Sequence, residues 1–288
     1  MQRPSTFDFR LGLIGYPLGH SLSPKIHSAA LKACNLQGDY SLFPIHPEDK
    51  PALQTLLARV RSGEITGLNV TIPHKRNVIE FMDELTPTAQ AIGAVNTIYL
   101  EDNKLVGDNT DVLGFLRDLH LFIAVSDSEI EKNDSAIVLG AGGSARAIVY
   151  GLLRDDWNVT ILARSFDQAQ ELAISFPEYK SRIKFREIKD FHKLELSYPQ
   201  LVVNTTPVGM YPNIDASPLP EDVILPNGSL IYDLVYNPRE TKLVRIAHSK
   251  GLLASTGLGM LIEQAALAFE MWTGHNPPRD VLYQAVES

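Results

Sequence analysis

Lys75 closes the stretch NVTIPHK, where a run of strand-forming residues ends on a side chain that can carry a proton. An ammonium donates a proton to a developing negative charge, and its neutral form takes one back. Three further polar clusters accompany it: GYPLGHSLSPKIHS (15–28), GAVNT (93–97) and GDNTD (107–111). Each follows or ends an apolar, strand-like run, so the four loops are expected to converge on one cleft. Within SLSP, Ser21 and Ser23 precede a proline, the pattern of a helix N-cap with Pro24 at the first helical position. The opening of that helix also turns its N-terminal dipole toward any anion held there.

A second constellation lies in GAGGSAR. Gly140, Gly142 and Ala145 fit the strand-turn-helix fingerprint for a dinucleotide, with Ala141, Gly143 and Ser144 completing the loop. The first glycine permits the tight turn, the second lets the backbone approach a pyrophosphate, and the small third residue packs helix on strand. Cofactor choice falls at the end of the next strand, where an acid binds a ribose hydroxyl and a base accepts a 2′-phosphate. The sequence there is LARSFDQA, with Arg164 at that place.

With NTTPVGM (204–210), YDLVYNP (232–238) and TGLGMLIEQAA (256–266), these motifs run through essentially the whole chain. In this order and spacing they resemble the shikimate dehydrogenase family. The resemblance implies reversible NADPH-dependent reduction of 3-dehydroshikimate to shikimate, a step toward chorismate and the aromatic amino acids. It implies Lys75 and Asp111 as the catalytic pair and Ser21 and Ser23 as the hydroxyls holding the substrate carboxylate. Asn69, Thr71, Asn96, Asp111, Tyr236 and Gln264 would complete the substrate shell. The GAGGSA loop, Arg164, Thr205, Leu234 and Gly257 would hold NADP. The chain departs from the family pattern at several places. Ala163, Ser165 and Gln168 stand where NADP-dependent relatives carry Asn, Thr and a second Arg, which thins the phosphate clamp. Val112, Pro207 and Thr256 replace a common Gly, a common Ser and a frequent Asp or Asn. Two other readings stay open. One is a quinate/shikimate dehydrogenase, against which the paired serines argue. The other is a non-catalytic NADP-binding sensor, against which the retention of Lys75 and Asp111 argues. His20, His27 and His74 lie in these motifs without metal-ligand spacing, so no metal site is expected.

The elements that must position these groups alternate. LGLIGY, YSLFPI and GLNVTI read as strands, with helical patterns at 24–36 and 48–60, implying α/β with parallel strands. AVNTIYLEDNKLVGD reads as a hairpin turning at Asp102 and Asn103, and a helix begins near Asp111. SAIVLG, NVTILA, IKFREI, QLVVNTT and SLIYDLVY are rich in Val and Ile, as strands of a covered parallel sheet are. Helices are expected from Ser144 and after Arg164, giving a Rossmann-type domain. After Gly257 the apolar spacing is helical again, and in the resembled family this helix returns to the first domain. The expected organisation is a substrate-binding domain over 1–111, completed by helices of 257–288, and an NADP-binding domain over 112–256.

Two domains suit 288 residues. A net charge of -8 with no Lys/Arg cluster argues against nucleic acid. The single cysteine, Cys34, cannot form an internal disulfide and reads as a small buried residue. MQRPSTFDFR lacks a signal-peptide apolar core and no run spans a membrane. A cytoplasmic monomer or homodimer acting on a small molecule is the expectation.

Overall fold

The computed structural model describes residues 8–126, 135–194, 196, 198, 200–220 and 222–287. The chain divides into two units: residues up to Thr110 together with those from Ile262 onward, and Asp111–Leu261.

In the first unit the early apolar runs form β1 (Phe9–Gly15), β2 (Gly38–Pro44) and β3 (Gly67–Val70), with α1 (Ser23–Ala33) and α2 (Lys50–Arg61) between them. Asp49 caps α2 by accepting from the Ala52 N–H at 3.0 Å, which satisfies one of the free donors of its first turn. Then come β4 (Glu84–Leu85), α3 (Pro87–Ile92), β5 (Thr97–Glu101) and β6 (Lys104–Asp108). The sheet order is β2-β1-β3-β5-β6-β4. The parallel pairing expected of the first three strands is observed, and so is the hairpin expected at Asp102 and Asn103. β1 pairs in parallel with β2 and β3, but β3–β5 and β5–β6 are antiparallel. The two-residue turn at Asp102 (φ 47) and Asn103 (φ 62) reverses the chain between β5 and β6. One core face joins Ile14, Leu68, Val70, Ile98 and Leu105 to Leu53, Leu57 and Val60 of α2.

Cys34 is the C-cap of α1 and is half-exposed, not buried as its helical setting suggested, because the helix stops one residue before it.

The second unit opens with α4 (Asp111–Ala124) and continues through β7 (Ser135–Leu139), α5 (Gly143–Arg154), β8 (Asn158–Ala163), α6 (Phe166–Ile174), β9 (Ile183–Glu187), β10 (Leu201–Asn204), β11 (Leu230–Asp233), α7 (Lys242–Ser249) and β12 (Leu253–Thr256). All pairings are parallel, in the order β12-β11-β10-β7-β8-β9. The order reverses at β7 and β10, and ligands of such sheets bind beyond the carboxyl ends at that switch point. Val112, the departure from glycine, is buried with its Cγ1 3.3 Å from where a Cβ of Gly151 would stand, filling the α4–α5 contact.

Helix α8 (Leu258–Thr273) and α9 (Arg279–Glu287) close the chain. The Trp272 indole N–H donates to the Ile98 carbonyl at 3.2 Å, fixing α8 to β5 in the first unit. No helix of the described residues is long and apolar enough to cross a membrane.

Candidate active site

On the substrate side, β3 and β5 end beside each other and carry Asn69 and, just ahead of β5, Asn96. Both are buried. The Tyr40 hydroxyl on β2 donates to Asn69 Oδ1 at 2.8 Å, leaving the Asn69 amide to donate to the Asn96 carbonyl at 3.3 Å. Asn96 is held in turn, with its Nδ2 donating to Thr110 Oγ1 at 3.0 Å and its Oδ1 accepting from the Thr110 N–H at 2.8 Å and Thr97 Oγ1 at 2.9 Å. Asn109 Nδ2 donates to the Ala94 carbonyl at 3.0 Å. A buried polar network satisfied to this degree rigidifies its members, since each broken link would leave a desolvated group unpaired.

The loop bearing Lys75 is tied on both sides. The Thr71 N–H donates to the Ile14 carbonyl at 2.8 Å, the His74 ring bonds the Ile45 carbonyl at 2.7 Å, and the Lys75 carbonyl accepts from the Val95 N–H at 2.7 Å. Lys75 and Thr71 are half-buried. Asp111 is buried and heads α4, directly after Thr110 in the chain.

The N-cap reading of SLSP is corrected. Leu22 occupies the N-cap of α1 and no side chain caps it, while Pro24 does lie in the first turn. Ser21 accepts from the Ser23 N–H at 3.3 Å, and Ser23 is buried. The helix therefore begins one residue earlier than the serine pattern suggested. Gln264, on α8, is half-buried.

His27 does other work than ligation. It is wholly buried, stacked on Tyr40 at 4.3 Å and 2°, with Trp272 at 5.4 Å. Burial drives its pKa down to about 3, partly opposed by Asn69. A neutral ring thus supports the tyrosine that orients Asn69.

On the cofactor side, β7 delivers Gly140 at φ +115, a conformation side-chain-bearing residues rarely adopt. A Cβ there would lie 2.6 Å from Thr205 Oγ1, whose hydroxyl donates to the Leu139 carbonyl at 2.7 Å. Gly142 is the N-cap of α5, extended, without a side-chain capping bond, and a Cβ on it would meet nothing within 4 Å. The first-turn N–H groups of a twelve-residue helix thus lie beside open space, an arrangement that fits a pyrophosphate. Ala145 is buried at the helix–strand contact. Ala141, Gly143 and Ser144 are half-buried, and Arg164 is exposed one residue past β8.

The loops carrying Thr205, Leu234 and Tyr236 share one anchor. Buried Asp233 accepts from Asn204 Nδ2 at 2.8 Å, the Val235 N–H at 3.0 Å and Thr241 Oγ1 at 2.6 Å. Asn204 Oδ1 accepts from the Thr206 N–H at 3.0 Å. Burial raises the Asp233 pKa and these donors pull it back. Half-buried Tyr236 has its phenol pushed up by burial. Gly257 is buried, and a Cβ there would strike the Leu234 carbonyl at 2.3 Å, so those two backbones meet closely. Sequence reasoning missed Tyr40, Thr110, Asn204 and Asp233. The last three stood inside the quoted motifs, whereas Tyr40 sits in an ordinary strand and gave no signal.

A mixed sheet with a buried amide-and-hydroxyl cluster, joined in one chain to a Rossmann-type sheet with an open glycine turn, defines a two-unit α/β chain of the dinucleotide-linked type. Residues 13–98 match the shikimate dehydrogenase substrate binding domain and residues 257–287 the shikimate 5′-dehydrogenase C-terminal domain. The chain is 41% identical over 281 residues to the shikimate dehydrogenase (NADP(+)) of Salinibacter ruber, covering 96% of each. A shikimate dehydrogenase crystallised in complex with NADP+ superposes with a TM-score of 0.88 at 36% identity, over 97% of this chain and 95% of that one. The Thermus thermophilus enzyme in complex with NADP(H) and shikimate gives 0.83 at 35%, over 97% and 98%. This chain belongs to the shikimate dehydrogenase family.

Proposed function

We propose that this chain catalyses the reversible NADP-linked interconversion of 3-dehydroshikimate and shikimate, in the route to chorismate and the aromatic amino acids. The observation that carries the reading is the buried Tyr40–Asn69–Asn96–Thr110 network, which ends in the chain at Asp111 while the Lys75 backbone is tied to the same strand end through Val95. Such a set of fixed amides and hydroxyls suits a small polyol whose several hydroxyls must each be met, because an unmet polar group in a dry site is costly.

Lys75 Nζ gives a proton to the oxygen that gains negative charge as the ketone becomes an alcohol, and takes it back in the other direction. Asp111 is its partner in the catalytic pair and accepts from a substrate hydroxyl. Ser21 and Ser23 bind the substrate carboxylate at the start of α1, and Asn69, Thr71, Asn96, Tyr236 and Gln264 orient the ring. The residues Gly140–Ala145, Arg164, Thr205, Leu234 and Gly257 hold NADP. When bound, that cofactor supplies or accepts the hydride. Residues 1–111, completed by helices of 257–288, serve the substrate and 112–256 the cofactor, in a cytoplasmic enzyme.

Initial rates with shikimate and quinate, each with NADP+ and NAD+, test this. Shikimate with NADP+ should give the highest kcat/KM. Comparable quinate turnover would reassign the chain as a quinate/shikimate dehydrogenase, and NADP+ binding without any turnover would make it a sensor.

A further inference from the structure

The edge of the second sheet carries a cation that the glycine turn and Arg164 leave unused. β8 and β9 run parallel with Leu162 opposite Arg186 and Ala163 opposite Glu187. Residues paired across strands stand on the same face, and side chains two apart along a strand share a face. Arg186 therefore shares the face of Leu162, and Arg164 follows two residues after Leu162, in the bend just past the end of β8. Neighbouring strands lie about 5 Å apart and two residues of chain span at most about 7 Å, so the two Cα atoms lie within about 12 Å, within common reach of two arginine side chains.

Both arginines are exposed, and neither makes an ion pair or hydrogen bond among the described residues. Their basic neighbours are occupied. Arg182 holds Asp156 at 3.1 Å and the Leu153 carbonyl at 2.8 Å, Lys189 holds Glu187 at 2.6 Å, and Lys193 holds Asp190 at 2.7 Å. Lys184, on the same face, sits opposite Thr160, two residues farther from the carboxyl edge where ligands of such sheets lie. Arg186 is thus the unpaired cation of β9 nearest that edge.

A ribose 2′-phosphate carries a charge of about −1.5 to −2 near neutrality, which one exposed guanidinium with neutral Ser165 and Gln168 beside it balances poorly. We propose that Arg186 is a second residue for NADP selectivity, joining Arg164 from the adjacent strand on the same 2′-phosphate. This rests on the NADP assignment made under the proposed function.

The test is calorimetric titration of the full chain with NADP+ and NAD+, for the wild type, Arg164→Ala, Arg186→Ala and the double variant, with thermal melts as the control for folding. An exposed edge-strand arginine can be truncated without unfolding the sheet. Arg186→Ala should raise the NADP+ Kd about threefold to thirtyfold, between the effect of an exposed ion pair and that of a full charge-assisted bond. The NAD+ Kd should stay within about twofold, the scale of experimental scatter for an untouched contact. A fold that merely needed Arg186 would weaken both cofactors together, and that outcome overturns the proposal. So does an unchanged NADP+ Kd in Arg186→Ala while the wild type still prefers NADP+, which would leave the NADP assignment standing. A wild type that binds NADP+ no tighter than NAD+ removes both.

Discussion

The substrate-side and cofactor-side residues of this chain are built on opposite plans. On the proposed substrate side, the side chains are already locked to one another: Tyr40, Asn69, Asn96 and Thr110 are all buried and mutually bonded. On the proposed cofactor side, the backbone is left open. Gly142 has nothing within 4 Å of a would-be Cβ, α5 lacks a side-chain cap, and the charged contribution stands exposed at Arg164. A small polyol offers several hydroxyls in fixed directions, which only oriented side chains discriminate. A pyrophosphate offers an anion that any row of N–H groups meets. Substitution should therefore fail on the substrate side through chemistry and protonation, and on the cofactor side through backbone sterics.

The largest effect falls on Lys75. Lys75→Met keeps much of the aliphatic length but offers no proton, and general acid-base catalysis supplies about 10²- to 10⁴-fold, so kcat should fall by that order. The Kd for NADPH should be unchanged and shikimate binding measurable. Asp111→Asn should also be slow, and, if the pair proposed above acts as one unit, the double variant should be far less impaired than the product of the single effects. Near-normal kcat in Lys75→Met, with a deuteride isotope effect showing chemistry to be rate-limiting, would sink the role given to Lys75.

The substrate-side network should also be acid-sensitive through His27. Its folded pKa of about 3 lies below the usual value of 6.5 for histidine, so on acidification the unfolded chain takes up the proton first. The stability this neutral ring provides is fully present above pH 6.5 and is lost as pH falls toward 3, at about 1.4 kcal/mol per pH unit. His27→Phe keeps a ring against Tyr40 and removes the titration. Urea unfolding at pH 7 and pH 4 should show the wild type losing about 3 kcal/mol more than the variant over that interval. Equal losses would mean that His27 charges in place.

The unequal legibility of the two sides follows from the same contrast. The glycine turn was readable because only glycine tolerates φ +115 at position 140, and the fingerprint is therefore local in sequence. The hairpin at Asp102 and Asn103 was readable because Asp and Asn tolerate the left-handed backbone of a tight turn. What positions the substrate side is non-local. Tyr40 reaches Asn69 across 29 positions of chain and His27 stacks beneath it from another element, and no spacing rule joins them. The antiparallel pairing of β3 with β5 carried no local signal, because apolar strands look alike whichever way their neighbour runs. The serine cap was misplaced because Ser and Pro before a helix fix its start only to within one or two residues. Lys75, Asp111 and the serines were singled out through the family motifs, since an isolated lysine after a strand has no periodic or conformational signature.

A single added methyl is the sharpest test of the backbone plan. Gly140→Ala adds one methyl to a residue held at positive φ, where strain of about 1–3 kcal/mol is usual. The added Cβ would also stand 2.6 Å from Thr205 Oγ1, and that hydroxyl cannot simply turn aside because it donates to the Leu139 carbonyl. Either the turn shifts or the threonine bond breaks, and both displace the N–H groups meant for the pyrophosphate. The NADP+ Kd should rise about fivefold to 150-fold by titration, the equivalent of that strain. Shikimate affinity should hold, because no member of the Tyr40–Asn69–Asn96 network touches position 140. Adding Thr205→Ala removes the Oγ1 and should recover part of the lost affinity, while Thr206 Cγ2, 3.1 Å from the same methyl, keeps the recovery incomplete. Unchanged NADP+ affinity in Gly140→Ala would mean that the cofactor does not depend on this turn, and the contrast between a side-chain site and a backbone site would fail with it.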